Sequence, residues 1–172
     1  MLPSIQDDGV VLKYGGDGRR YMCGIFGCIS EDAAGYVLEG LRKLEYRGYD
    51  SAGIATLSGG KINEVKSEGR VDKLEGNSLV QNMEGTIGIG HVRWATHGLP
   101  NSVNAHPHSS QNVSVVHNGI IENSTILKKF LVNKGHNFKS QTDTEVIVHL
   151  ITENLKIYEL EEAITKTLKQ LH

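Results

Sequence analysis

Cysteine is scarce in this 172-residue chain, which has two, Cys23 and Cys28. They lie in one short strand-like run, and their odd spacing puts them on opposite faces, so no bond between them is expected. This excludes a small disulfide-built secreted scaffold and suits a reduced, cytoplasmic setting. An excess of charge of either sign is also lacking. Eighteen basic against twenty acidic residues leave a net charge of −2. That provides no electrostatic footprint for nucleic acid or an anionic membrane. No apolar run approaches the length of a bilayer span, so no membrane partner is expected. Arg19-Arg20 precede a run that reaches Glu31 and Asp32 too soon for an export signal, and "RYM" before Cys23 is a poor lipoprotein cleavage site. No repeat is visible. "GIGHVR" lacks the third glycine of a dinucleotide fingerprint, and no phosphate-binding P-loop occurs.

What is present begins with a leader, "MLPSIQDDGVVLKYGGDGRRY", which reads as a loosely attached arm. From Cys23 the character changes. "CGIFGCI" suits a buried strand, and "AAGYVLEGLRKLEY" puts Ala33, Val37, Leu38, Leu41 and Leu44 on one helical stripe. "SAGIATL" and "KINEVKSEG" around "SGG" predict a hairpin. "TIGIGHVRWAT" and "NVSVVHNG" predict further strands, joined by a loop rich in Gly, Pro, Asn and His. "IENSTILKKFLVNKG" predicts a helix ending at Gly135. "TDTE" at 142–145 has capping-box spacing before a helix carrying Val146, Ile147, Leu150 and Ile151, and "LEEAITKTLKQLH" predicts a last amphipathic helix. Hairpins without regular strand–helix–strand alternation imply an α+β layer fold.

Five histidines, His91, His97, His106, His108 and His117, lie close together in sequence. His106 and His108 would share a face if extended, but no carboxylate or thiolate follows nearby to complete a metal site, and neither metal nor cofactor is expected. Cys23, Arg93, Asn118-Gly119 and Asp143 stand at the ends of strands or in loops, where sites are built. A thiol is a strong nucleophile that needs a base. An N-terminal cysteine carries one, since an α-amine titrates at about 7.7–8.0. An Asn amide beside a Gly N–H makes a pair of oxyanion donors. Arg and Asp suit the carboxylate and ammonium of an amino acid. Together these residue types describe a glutamine amide hydrolase.

"MCGIFG", "LEYRGYDSAGIA", "GIGHVRWATHG", "NAHPH", "VVHNGIIEN" and "TDTEVIVHL" follow the order and spacing of the class II (N-terminal nucleophile) glutamine amidotransferases. Their wording resembles the glutaminase domain of the glutamine–fructose-6-phosphate aminotransferases, from Met22 to about Leu171. The phosphoribosyl-pyrophosphate amidotransferases share the plan with different motifs. The resemblance implies a cytoplasmic transferase of hexosamine biosynthesis with an N-terminal-nucleophile αββα sandwich. Cys23 would attack the amide of glutamine, and Asn118 with the Gly119 N–H would form the oxyanion hole. Arg93, with Thr96 and His97 beside it, would take the substrate carboxylate, and Asp143 the ammonium. Arg47 would shape the pocket, Trp94 would gate the ammonia passage, and His106 would lie in the mobile loop that closes on glutamine.

Two departures stand out. The 1–21 leader has no counterpart in the family pattern, so the glutaminase domain is expected at 22–172 with Met22 as its start, whether the leader is removed or never belongs. The family's domain also runs past "LKQLH" into more strands and then into isomerase domains that bind fructose 6-phosphate. The fold is therefore expected to be C-terminally truncated, with an open sheet edge and an uncovered core face. The chain reads as a fragment, a truncated gene or half of a split enzyme, and oligomerisation stays open. Alternatives are another class II amidotransferase of the phosphoribosyl-pyrophosphate type, or a silent fragment that only binds glutamine.

Overall fold

The computed structural model describes residues 23–94, 99–110 and 112–172. The first layer is a helix, α1 (Ala33–Leu44), opened by Asp32, whose carboxylate accepts the N–H of Gly35 at 3.0 Å. Arg42 and Lys43 lie in its last turn, where cations suit the helix dipole. The predicted stripe is the buried one: Ala33, Val37, Leu38 and Leu41 are core, with Leu44 packed beside them.

Under α1 lies a four-stranded antiparallel sheet of order β1-β4-β2-β3: β1 (Gly24–Ile29), β2 (Ser51–Ser58), β3 (Lys61–Glu68) and β4 (Ile87–Arg93). β2 and β3 form the expected hairpin. Its Gly59 and Gly60 both take positive φ, 56° and 77°, the backbone that a two-residue hairpin loop requires. In β4, a Cβ at Gly90 would stand 2.4 Å from Val37 Cγ1, so glycine there lets the helix press onto the sheet. Alternation sends Gly88, Gly90 and Val92 of β4 towards α1, and Ile87, Ile89, His91 and Arg93 to the opposite, inner face. Two short helices absent from the sequence reading, α2 (Val71–Glu75) and α3 (Ser78–Gln81), extend the α1 layer through Val71, Leu74 and Val80.

The second half is a two-stranded sheet, β5 (His108–Ser110) and β6 (Val113–Val115), backed by α4 (Ser124–Asn133), α5 (Glu145–Asn154) and α6 (Leu160–Leu168). Its core joins Ile121, Leu127 and Leu131 to Val146, Ile147 and Leu150. Gly135 ends α4 with φ 90°, as expected. The two sheets meet where Ser109 Oγ donates to Glu64 Oε2 at 2.5 Å and Lys66 Nζ donates to the Pro107 carbonyl at 2.9 Å. The order helix, sheet, sheet, helix is the expected sandwich.

Two local expectations fail. The capping box at 142–145 does not form: the residue before α5 is Thr144, with helical φ and ψ and no side-chain cap. Glu145 instead accepts the N–H groups of Lys139 and Ser140 and the Ser140 hydroxyl, while Thr142 Oγ1 engages His108 and Ser140. Tertiary partners outcompete the local motif. The second failure is the histidine-rich loop, whose end is strand: His108 opens β5, and His106 and His108 are both buried.

On the inner face of the larger sheet, Ile29, Ile87 and Leu57 lie exposed among the described residues. Among the described residues no helix is long and apolar enough to cross a membrane.

Candidate active site

β1 and β4 run antiparallel with Gly24 opposite Val92, so Cys23 emerges beside the end of β4. A Cβ at Gly24 would come within 2.7 Å of Leu44 and 2.8 Å of Val92, so a glycine lets β1 fit at this place. The thiol meets the chain leaving β4: the Trp94 N–H donates to Cys23 Sγ at 3.2 Å, and Sγ lies 3.5 Å from the Trp94 carbonyl. Burial pushes the thiol pKa up. The Trp94 N–H and the Arg93 charge work against this, while Asp50 adds to it. The net effect is a thiol that needs a base.

Asn118 reaches the same place from the loop after β6. Its Nδ2 donates to the Cys23 carbonyl at 3.1 Å, and its Oδ1 lies 2.8 Å from His91 Nε2. A carboxamide nitrogen carries two hydrogens, so one is left for a second acceptor. Gly119 is exposed next to it. A Cβ there would stand 2.7 Å from His117 Nε2, so only glycine fits without displacing that ring. Asp143, just before α5, accepts the Ile121 N–H at 2.7 Å and exerts its charge on His117. That places a carboxylate beside the 117–121 segment.

Arg93 is 4% exposed and donates to the Leu99 carbonyl at 3.3 Å. Asn104 donates to the same carbonyl at 3.0 Å, and its Oδ1 accepts the Gln141 N–H, so the 99–104 loop is tied both to Arg93 and to the approach to Asp143. Trp94 is partly exposed at the thiol. Arg47, half-buried, ends the 3-10 turn Glu45–Arg47 that leads towards Asp50 and β2. Thr96 and His97 lie outside the described residues.

Behind Asn118 runs a buried row of imidazoles. His91 and His106 meet edge-to-face with centroids 4.4 Å apart, and His106 meets His108 likewise at 4.7 Å. Burial pushes His91 down to about 4 and His108 down to about 3, and holds His106 well below its ordinary value. His106 is thus part of a dry interior, not the exposed loop residue its neighbours in sequence suggest. Among the described residues no group of three or more His, Cys, Asp or Glu is placed to hold a metal ion.

Two residues at the site escaped the sequence reading. Asp50 donates its N–H to the Arg93 carbonyl, accepts from Ser51 Oγ and acts on the thiol by charge, and nothing in "YDSAG" marks it out. His91 carried a usable signal: alternation in "GHVR" puts it on one face with Arg93.

A thiol, an amide donor beside it, an arginine at the end of β4 and an aspartate just before α5, set in an αββα sandwich, are the parts of a class II glutamine amidotransferase. Residues 76–157 match the glutamine amidotransferase domain family. The chain is 56% identical over 139 residues to the glutamine–fructose-6-phosphate aminotransferase of Pyrococcus horikoshii, covering 79% of this chain and 23% of that protein. It is 58% identical over 134 residues to the one of Clostridium acetobutylicum, covering 76% and 22%. Among solved structures, the phosphoribosylpyrophosphate amidotransferase of B. subtilis superposes with TM-score 0.70 at 34% identity, covering 87% of this chain and 32% of that one. The allosteric regulatory enzyme of purine biosynthesis gives 0.74 at 35%, covering 86% and 33%. The chain belongs to the glutamine amidotransferase family, and it spans about a quarter of the length of the curated relatives it matches.

Proposed function

We propose that this chain is the glutaminase part of a glutamine–fructose-6-phosphate aminotransferase, a cytoplasmic enzyme, and that it hydrolyses glutamine to glutamate and ammonia through Cys23. One observation carries the reading: the thiol and the candidate oxyanion donor meet, with Asn118 Nδ2 bonded to the carbonyl of Cys23 itself. Identities of 49–58% to the fructose-6-phosphate aminotransferases, against 34% to the phosphoribosylpyrophosphate amidotransferase of B. subtilis, favour the first over the second.

In this mechanism the α-amine of a free N-terminal Cys23 takes the thiol proton. The sulfur pair attacks the carboxamide carbon, and the C=O pair moves onto oxygen, where Asn118 Nδ2–H and Gly119 N–H receive it. Collapse expels ammonia, which takes the proton back from the ammonium, and leaves a γ-glutamyl thioester. Water then attacks the thioester, giving glutamate and the free thiol. Arg93, with Thr96 and His97, binds the substrate carboxylate, Asp143 binds its ammonium, and Arg47 shapes the pocket. Trp94 gates the route of ammonia, whereas His106, expected from the resemblance to ride on the closing loop, is buried against His91 and His108 and backs the site instead.

The base argument defines the active chain. With Tyr21-Met22 attached, the Cys23 nitrogen is an amide with no basic lone pair. Residues 1–21 therefore lie outside the active enzyme, and the domain starts at Met22, which is then removed. Amination of fructose 6-phosphate needs domains outside this sequence. The test is ammonia and glutamate release by a protein whose first residue is shown by mass spectrometry to be Cys23. Turnover that disappears in Cys23→Ala supports the reading, and equal release by Cys23→Ala overturns it.

A further inference from the structure

We propose that His91 is the positioning residue of the oxyanion donor: its Nε2–H holds the Asn118 carboxamide with the NH2 end turned to the thiol. This rests on the role given above to Asn118.

A primary carboxamide is nearly symmetric in shape, and only one of its two orientations donates at the reacting carbonyl. Asn118 is exposed, so packing does not select between them. Its hydrogen bonds do. The Cys23 carbonyl, an acceptor only, lies 3.1 Å from one end and therefore calls for the NH2. The other end, 2.8 Å from His91 Nε2, is then an oxygen that needs a donor. His91 must supply it from Nε2, which leaves Nδ1 as a lone pair.

The surroundings of His91 agree with that tautomer. The side chain is fully buried, and its Nδ1 has no hydrogen-bond partner. A buried lone pair without a partner is cheaper to leave than a buried N–H or a second proton. Burial is the largest influence and disfavours the charged ring, outweighing the hydrogen bonds to Asn118 and the His117 backbone, which favour it. The charges of Arg93 and His117 add to the burial effect. The same Nε2 stands 3.3 Å from His106 Nδ1, so His106 Nδ1 must also offer a lone pair. Its proton then sits on a buried Nε2 with no partner among the described residues, a cost that the His91–Asn118 bond has to outweigh.

His106 has little freedom to move away. A Cβ at Gly53 would stand 2.2 Å from the His106 carbonyl, and Lys66 Nζ grips the next carbonyl, that of Pro107. The chain carrying His106 is thus seated directly on β2 and β3. Its ring meets His91 edge-to-face and buttresses it. A deep structural histidine would need none of this: the point is that one of its two nitrogens ends on a side chain at the reacting centre.

Two experiments test the proposal. The first needs no turnover: long-range proton–nitrogen correlation on 15N-histidine protein at pH 7 reads the tautomer of His91. A neutral ring protonated at Nε2 is expected, and an Nδ1–H or charged ring overturns the proposal. The second uses the protein that begins at Cys23. His91→Ala should lower kcat by roughly 10- to 100-fold with KM changed less than about 3-fold, because a misdirected donor fails only as the oxyanion forms. His91→Gln, whose Nε2 can occupy the place of the imidazole Nε2, should regain most of the loss. In an Asn118→Ala background, His91→Ala should cost less than about 2-fold, since the group it positions is gone. Losses that multiply in full would make His91 a packing residue and overturn the proposal. If His91→Ala does not fold, the tautomer decides. If the unsubstituted protein releases no glutamate, the proposed function fails, and the tautomer still judges His91.

Discussion

The inner face of the four-stranded sheet has two ends that differ in what covers them. At the thiol end, His91 and Arg93 of β4 and Gly53 of β2 lie under the 99–107 chain, closed and hydrogen-bonded. At the far end, Ile29 is 83% exposed, Ile87 42% and Leu57 37%. The polar end is buried and the apolar end is open, the reverse of what solvent alone would choose. The polar groups at the first end remain dry because each finds a partner or stays neutral. The apolar groups at the second find no cover among the described residues. Chemistry and core-building are therefore separable here: the site is organised although, among the described residues, nothing closes over the far end of the sheet.

Acid should break this comparison first. The folded-state pKa values of His91 and His108, about 4 and about 3, lie below an unfolded value near 6.5. Above that value both states are neutral and the stability is fully present. As the pH falls through 6.5, the unfolded chain takes up protons that the native state refuses, so stability is lost. By pH 5 the loss should be on the order of 2 kcal/mol for each of the two histidines. Glu145 behaves differently: burial raises its pKa, but the hydrogen bonds from His149, Lys139 and Ser140 outweigh this and hold it at about 2. Its contribution is therefore lost only below about 4.5. Urea unfolding at pH 7 and pH 5 measures the difference, and equal midpoints would contradict a dry histidine row.

Next in size is the covered end itself. Gly53→Ala forces a methyl against the backbone carbonyl of His106, which cannot rotate away as a flexible side chain could. A loss of about 2–3 kcal/mol is expected, as in overpacked cores, with a weaker seat for the His106 loop. Thermal unfolding reads it, and an unchanged midpoint would mean the two layers are not in contact there.

The smallest effect belongs to the open end. Ile29→Ser removes an apolar side chain that is already wet, so stability should move by less than about 0.5 kcal/mol. A larger loss in the isolated chain would show that something covers this face.

The sequence was most readable where structure is local. The α1 stripe, the Gly59-Gly60 turn and the Gly135 stop each rest on a few adjacent residues, and each is found. The capping box at 142–145 is not realised because Glu145 turns to Lys139 and Ser140, and Thr142 to His108. Spacing cannot reveal a competing partner 34 residues away. For the site, "MCGIFG", "RWAT" and "VHNG" gave the residue set by resemblance, and the structure brings Cys23, Arg93, Trp94 and Asn118 together. His91 and Asp50 were passed over because their importance lies in what the fold places against them.

The central claim is that Cys23 acts as a nucleophile only when its own amine is free. A glutamine-analogue electrophile, added to two proteins whose N-termini have been verified by mass spectrometry, tests it most directly. One begins at Cys23 and the other retains Tyr21-Met22. Without its amine the thiol has a pKa that burial pushes above its ordinary value, which leaves little thiolate near neutral pH. Rapid labelling of Cys23 in the first protein and slow labelling in the second is the predicted result. Equal rates in both would contradict the amine-base mechanism.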